Sequence, residues 1–250
     1  MSDALSPQRT AHLRALTPAR VGLGRTGVSQ QTADLLAFQR AHALARDAVH
    51  ARLEPAALAA ALTRIAGRET VLLHSMAPDR TTYLQRPDLG RKLDERSKAK
   101  IEGTAKDPWD LALVVSDGLS ALAIERHAVP FMKELLPQLE QWRVAPICVV
   151  EQGRVAIGDE IGAMLHARLS VVLIGERPGL SAPDSMGAYV TWEPRPGRTD
   201  AERNCLSNIR AEGLSYGQAA AQLIDLLAKA RGRQVTGVAL QQPVLTQGEG

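Results

Sequence analysis

From residue 107 onward the chain repeats one pattern: a strand-length run of apolar residues, a polar turn, then a stretch with helical spacing. The runs at Leu111–Val115, Pro146–Val150, Ser170–Gly175 and Ala188–Trp192 are apolar with little alternation. A strand covered on both faces reads this way, whereas a strand with one wet face alternates. Helices are expected between and after them at Ser120–Arg126, Pro130–Trp142, Asp159–Ala167 and Tyr216–Ala230. Strands of this kind interleaved with helices predict an α/β fold, a Rossmann-like, doubly wound and mainly parallel sheet.

The texture before residue 107 differs. Residues 1–19 are expected as a flexible N-terminal tail and residues 20–106 as a small, mainly helical N-terminal domain preceding the Rossmann-like domain at 107–250. In Thr32–Leu53 the residues Leu35, Phe38, His42, Ala45 and Val49 recur at helical spacing behind Thr32, an N-cap residue type. Pro55–Ala66 predicts a second helix, with proline in its first turn and Gly67 as its stop. A short charged helix is expected near Asp94–Ile101, after an apolar VLLHS run and a polar, turn-rich stretch. The last dozen residues, from about Ala239 to Gly250, read as a frayed end.

Composition excludes several classes of function. The apolar runs are far shorter than a membrane span. The opening residues hold no continuous apolar region before a small-residue cleavage site, so the chain is expected inside the cell. The two cysteines, Cys148 and Cys205, make neither a disulfide framework nor a zinc site. The pI near 9.1 suggests nucleic acid, but a net charge of +3 with interleaved acids and bases supplies no basic stripe.

In open α/β sheets ligands bind beyond the carboxyl ends of the strands, where helix N-termini point outward. Those ends are Ser116-Asp117-Gly118, Glu151-Gln152-Gly153-Arg154 and Gly175-Glu176-Arg177-Pro178-Gly179. Glycine permits close backbone approach to a ligand, and the Ser, Asp, Glu and Gln side chains suit a ligand rich in amides. The same residues also serve as ordinary turn formers and caps. From crevice position alone the candidates are Ser116, Asp117, Glu151, Gln152 and Arg177.

Other motifs carry less. Gly22-Leu23-Gly24-Arg25-Thr26-Gly27 spells G-x-G-x-x-G, but no strand precedes it, so it lacks the βαβ setting that cradles a pyrophosphate. A loop that docks on a partner is the expected reading. The six histidines show no H-x-x-x-H or H-E-x-x-H spacing. No G-x-S-x-G elbow is present, and Asp117 at a strand end has no partner acid or nucleophile by spacing.

Read as text, the chain is more specific. It carries ARVGLGRTG at Ala19–Gly27, DLLAFQRAHALARDAVH at Asp34–His50, DRTTYLQRPDLGRKL at Asp79–Leu93, SDGLSA at Ser116–Ala121, VEQGRVAIGDEIG at Val150–Gly162, IGERPGLSAPDSMGAY at Ile174–Tyr189 and DAERNCLSNIRAEGLSY at Asp200–Tyr216. In these blocks it resembles the small subunit (light chain) family of ethanolamine ammonia-lyase, an adenosylcobalamin-dependent enzyme that converts ethanolamine to acetaldehyde and ammonia. The resemblance implies a hetero-oligomer in which a TIM-barrel large subunit hosts the reaction and the small subunit, inactive alone, closes over the cofactor at the interface. It carries over three cobalamin contacts: Val155, Glu176 and Cys205. It implies no catalytic residue and no metal ligand in this chain. D-x-H-x-x-G, by which another class of cobalamin proteins donates a histidine to cobalt, is missing, so the cofactor is expected to keep its own dimethylbenzimidazole. Location in a bacterial microcompartment or in the cytoplasm is expected. Two other readings stay open: an assembly subunit that does not touch cofactor, and a stand-alone nucleotide-binding enzyme using Asp117 or Cys205.

Overall fold

Eight strands and nine helices are formed by residues 7–17, 19–104 and 108–241, the residues that the computed structural model describes. The start of the expected tail, residue 107 and the chain beyond residue 241 lie outside them. In chain order the elements are α1 (Pro7–Leu16), β1 (Arg25–Thr26), β2 (Ser29–Gln30), α2 (Thr32–His50), α3 (Pro55–Ala66), β3 (Thr70–His74), α4 (Arg80–Gln85), α5 (Glu95–Glu102), β4 (Trp109–Ser116), α6 (Ala121–Leu135), β5 (Ile147–Glu151), α7 (Ile157–Met164), β6 (Ala167–Gly175), β7 (Met186–Trp192), β8 (Arg203–Ile209), α8 (Tyr216–Arg233) and α9 (Val238–Gln241).

Six of the strands form one sheet in the order β3-β5-β4-β6-β7-β8. The pairs β3/β5, β5/β4 and β4/β6 are parallel, and β6/β7 and β7/β8 are antiparallel. The class is therefore α/β with a mixed, mostly parallel sheet. Side chains along a strand alternate between faces, and β4 shows the result. Leu111, Leu113 and Val115 enter a core shared with α3, α6 and α8, whereas Ala112 and Val114 enter a second core with Ile101 of α5 and Ile157 and Ile161 of α7. Both faces of the central strand are thus covered, which is why its sequence is apolar without a break. No helix among the described residues is long and apolar enough to cross a membrane.

Several elements depart from expectation for identifiable reasons. Two helices were expected on either side of residues 127–129, but α6 runs through Pro130 without a break. Proline inside a helix costs roughly 3 kcal/mol; burying Ile124, Phe131, Met132 and Leu135 on one face spans that defect. The apolar VLLHS run, expected within the mainly helical stretch 20–106, is β3, an edge strand of the main sheet. Strand β8 was not expected, because Arg-Asn-Cys-Leu-Ser-Asn-Ile is mostly polar; it is the opposite edge, with Cys205 and Ser207 exposed. Helix α2 buries Ala41 and Ala48 and leaves Leu35, Phe38 and His42 of its expected apolar face exposed. Its N-cap is Gln31, so Thr32 is the first helical residue. Residues Pro7–Leu16, within the expected tail, are helical. Helix α3 has the expected bounds, and Gly67 caps it in the left-handed conformation at φ 62°.

The fold creates an opening at one place. Strand β4 leads into α6 on one face, and its neighbour β5 leads into α7 on the other. Their connections diverge, and a crevice forms beyond the two carboxyl ends.

Candidate functional site

Glycine builds the rim of that crevice. Gly118 follows β4 at φ 55°, and a Cβ there would lie 2.3 Å from the Gly175 carbonyl oxygen. A Cβ on Gly175, the last residue of β6, would lie 2.1 Å from the Ser120 carbonyl oxygen. A Cβ on Gly153 would lie 2.6 Å from Ser116 Oγ. These glycines let the strand-end turns pack on one another: Gly118 and Gly175 permit backbone to approach backbone, and Gly153 makes room for the Ser116 side chain.

Beneath the rim, the polar residues that crevice position singled out are already engaged. Ser116, Asp117 and Gln152 are buried. Ser116 Oγ donates to Asp117 Oδ1 at 3.2 Å and accepts from the Gly153 N–H at 3.1 Å. Arg80, in the first turn of α4, comes within 3.5 Å of Asp117 Oδ2 and donates to the carbonyls of Val49 and Gly118, each at 2.7 Å. Burial pushes the Asp117 carboxyl up to about 6, opposed by Arg80 and by hydrogen bonds from Ser116 and the backbone of Gln152 and Gly118. Asp117 is thus a turn-locking carboxylate with no side chain in the cleft. Glu151 ends β5, and its carbonyl accepts from the Ser75 N–H at 3.1 Å.

The cleft itself has a volume of about 420 Å3. Its apolar wall includes Tyr83, Leu119, Val155, Ile174 and Tyr189, and its charged groups are Arg154, Glu176 and Arg177. Val155 and Glu176, two of the three residues singled out by the resemblance, therefore line one cavity together with the crevice candidate Arg177. Glu176 is held by three donors. Ser207 Oγ donates to its Oε1 at 2.5 Å, the Asn208 N–H donates to Oε2 at 3.2 Å, and Ser185 Oγ also donates to Oε2. Arg154 lies 4.2 Å from the Tyr83 ring centroid and donates Nη2 to the Tyr83 carbonyl at 3.0 Å. Burial pushes the phenols of Tyr83 and Tyr189 up, so both stay protonated donors at neutral pH.

Cys205 sits one strand pair away. It pairs in register with Tyr189, whose side chain lines the cleft. Desolvation raises the Cys205 thiol, the neighbouring Tyr189 hydroxyl opposes that, and the Glu176 carboxylate adds to it. Cys205 is therefore a thiol at neutral pH. Its own groove, about 620 Å3, lies toward α8 and α9. Cys148 is buried in β5, and desolvation pushes its thiol up to about 12.

Sequence reasoning did not single out Tyr83, Leu119, Arg154 or Tyr189 as lining residues. Tyr83 comes from α4, far from the strand ends in sequence, and no spacing rule announces it. The glycine-rich segment Gly22–Gly27 runs into the two-residue hairpin β1/β2, with Gly22 at φ 58° and Gly27 at φ 64°. Arg14 donates to the carbonyls of Val21 and Gly22, and Asp34 accepts from the Gly24 N–H. No group of three or more metal-ligating side chains occurs among the described residues.

The comparisons with known proteins converge. The model of the ethanolamine ammonia-lyase light chain (EutC) family matches residues 7–241. The ethanolamine ammonia-lyase small subunit of Pseudomonas aeruginosa is 54% identical over 252 residues, covering 99% of this chain and 92% of that protein. The proteins of the same description from Pseudomonas syringae pathovar tomato and Xanthomonas campestris are 56% and 54% identical. They cover 92% and 96% of this chain, and 81% and 91% of their own lengths.

Proposed function

The chain belongs to the ethanolamine ammonia-lyase light-chain family, and from that premise we propose that it holds adenosylcobalamin against a separate large subunit during conversion of ethanolamine to acetaldehyde and ammonia. The observation that carries the proposal is the meeting of Val155 and Glu176 in one cleft at the carboxyl ends of β5 and β6. The residues fit such a group. A carboxylate offers about four acceptor sites, and three of the donors to Glu176 are internal. One site is left for an amide or hydroxyl of the cofactor. Val155, Ile174 and Leu119 give the apolar wall that a corrin edge needs. A corrinoid is larger than a 420 Å3 cleft, so the other wall belongs to the partner.

When bound, the cofactor supplies radical chemistry through its cobalt–carbon bond. This chain's part is to bind and orient. Glu176, fixed by Ser185 and Ser207, would accept a hydrogen bond from the ring's polar fringe; Val155 would pack against the ring; Tyr189 and Cys205 border the β8 side without offering a thiolate. We read the stretch from residue 107 onward as a Rossmann-like cofactor-holding unit. The stretch 20–106 adds Tyr83 to its rim, and residence in a microcompartment or the cytoplasm follows the partner.

The test is reconstitution with the large subunit. The chain alone should show no ethanolamine deamination, and mixing it with large subunit and adenosylcobalamin should restore it. Glu176→Gln keeps the side chain's shape and removes its charge; it should weaken cobalamin binding to the complex about 10-fold. An unchanged dissociation constant in that variant, with the complex intact by size-exclusion chromatography, would favour a purely assembling role.

A further inference from the structure

The Asp79–Leu93 segment acts on the cleft through a residue that stays outside it. Arg80, in the first turn of α4, is 6% exposed and does not line the cavity. Its guanidinium nevertheless reaches three separate segments. Nε donates to the Val49 carbonyl near the end of α2 at 2.7 Å. Nη1 donates to the Gly118 carbonyl in the β4–α6 turn at 2.7 Å and to Gln152 Oε1 in the β5–α7 turn at 3.4 Å. Tyr83, one turn further along α4, adds a second tie. Its hydroxyl donates to the Gly153 carbonyl at 3.1 Å, and its ring centroid lies 4.9 Å from the Arg80 guanidinium carbon.

The two turns held in this way carry the apolar wall of the cleft. Gly118 precedes Leu119, and Gln152 and Gly153 lead into Arg154 and Val155; Leu119, Arg154 and Val155 all line the cavity. The Leu119 N–H donates to the Gly175 carbonyl at 2.9 Å, which ties the β4–α6 turn to the residue before Glu176. Gln152 sits at φ 57°, where residues other than glycine are uncommon. Such a conformation persists when its surroundings over-determine it. Here the backbone of Gln152 bonds Asp117 and its side chain accepts from Arg80. As a stabilising pair Arg80 and Asp117 are poorly built, since they stand 3.5 Å apart and Arg80 Nη2 is buried without a partner. A flat guanidinium with donors on several sides suits a different task, the joining of segments that must keep one geometry.

We propose that Arg80 is a positioning residue for the cofactor: from outside the cleft it fixes the two flanking turns against each other, so that Leu119 and Val155 present one preset wall. The inference rests on the cofactor reading above. A wall aligned before binding spares the complex the cost of aligning it afterwards.

The experiment uses the complex of this chain with its large subunit. In Arg80→Met the cobalamin dissociation constant at neutral pH should rise about 10-fold. The KM for ethanolamine should stay within about 2-fold, because no group that meets the substrate is touched. A pH profile tells positioning from a merely structural loss. The charged or titratable groups that face Asp117 are Arg80 and Tyr83, both from α4; its other partners are Ser116 and the backbone of Gln152 and Gly118. Burial raises the Asp117 carboxyl and Arg80 opposes that rise. Above about pH 7 wild-type affinity should be flat, whereas in Arg80→Met it should fall with pH as the unopposed carboxylate forms. Adding Asp117→Asn to Arg80→Met should make the profile flat again. Arg80→Lys keeps a cation beside Asp117 and should also return the flat profile; a lysine variant as pH-dependent as the methionine one overturns the proposal. So does an unchanged dissociation constant in Arg80→Met, or a pH-independent weakening that appears only with a lower unfolding temperature of the complex. Should Arg80→Met fail to assemble, Gln152→Gly carries the test. Glycine accepts φ 57° without strain, so the turn keeps its course and loses only its side-chain tie to Arg80. The dissociation constant should then rise about 3-fold, and no rise overturns the proposal. Glu176→Gln separates the two levels of inference. If it leaves cobalamin binding unchanged, the cofactor reading fails and takes this one with it; if it weakens binding while the Arg80 variants do not, only the positioning role fails.

Discussion

Two arginine–aspartate pairs are buried beside the clefts, and they are built differently. Arg203 of β8 grips Asp159 of α7 with two hydrogen bonds, at 2.6 and 2.8 Å, and spends further donors on Thr191 Oγ1 and the Arg198 carbonyl. Arg80 approaches Asp117 no closer than 3.5 Å, gives its best bonds to backbone carbonyls, and keeps a buried Nη2 without a partner. The first pair is a clamp that ties an edge strand to a helix across the sheet. The second is a lock on two strand-end turns in which the carboxylate is only partly compensated. Burial raises both acids, and only the bidentate geometry of the first offsets burial with two short charge-assisted bonds. The contrast teaches that a buried ion pair near a cleft can be a brace or a site of stored electrostatic tension, and that geometry tells which.

The largest effect should come from breaking the clamp. Arg203→Met leaves Asp159 buried without its partner and should cost about 3–5 kcal/mol of unfolding free energy by denaturant titration. A loss below about 1 kcal/mol would remove the distinction drawn between the pairs. Next is the pH dependence of the lock. The folded-state carboxyl of Asp117 lies at about 6, above its ordinary 3.8, so its contribution to stability is fully present below about pH 4 and is lost as pH rises through 6. Wild type should therefore weaken against Asp117→Asn by up to about 3 kcal/mol between pH 4 and pH 7. Carboxyl NMR should place the Asp117 midpoint near 6; a midpoint below 4 would make the two pairs alike. The smallest effect is Arg80→Met at pH 5, where Asp117 is mostly protonated and two backbone bonds are lost, about 1–2 kcal/mol. The same substitution should shift the Asp117 midpoint further upward.

The sequence disclosed the interior better than the edges. Strands β4, β5 and β6 were legible because burial on both faces forces uninterrupted apolar runs, and α3 because Pro55 and Gly67 mark its ends. The edge strand β8 was hidden: its outer residues meet solvent, so Asn204, Ser207 and Asn208 carry no strand signal. At the site, the strand-end rule located the turns, and the resemblance picked Val155 and Glu176 out of them. What neither disclosed was division of labour within a turn. Ser116 and Asp117 read like ligand contacts, yet both are turned to internal partners: Arg80 reaches Asp117 from 37 positions away, and Ser116 bonds Asp117 and the Gly153 N–H. Tyr83 and Tyr189 come to the cleft from separate elements by packing alone. Helix α2 misled because alanines at 41 and 48, small enough for close approach, sit on its buried face while leucines face outward.

The interlocked glycines after β4 and at the end of β6 have one more implication. Where two main chains touch with no side chain between them, no rotamer change can widen or narrow the gap, so the mouth of the cavity has a gauge set by peptide geometry. A ligand arriving there would meet a cradle whose width is settled beforehand, with no cost of setting it at the moment of binding.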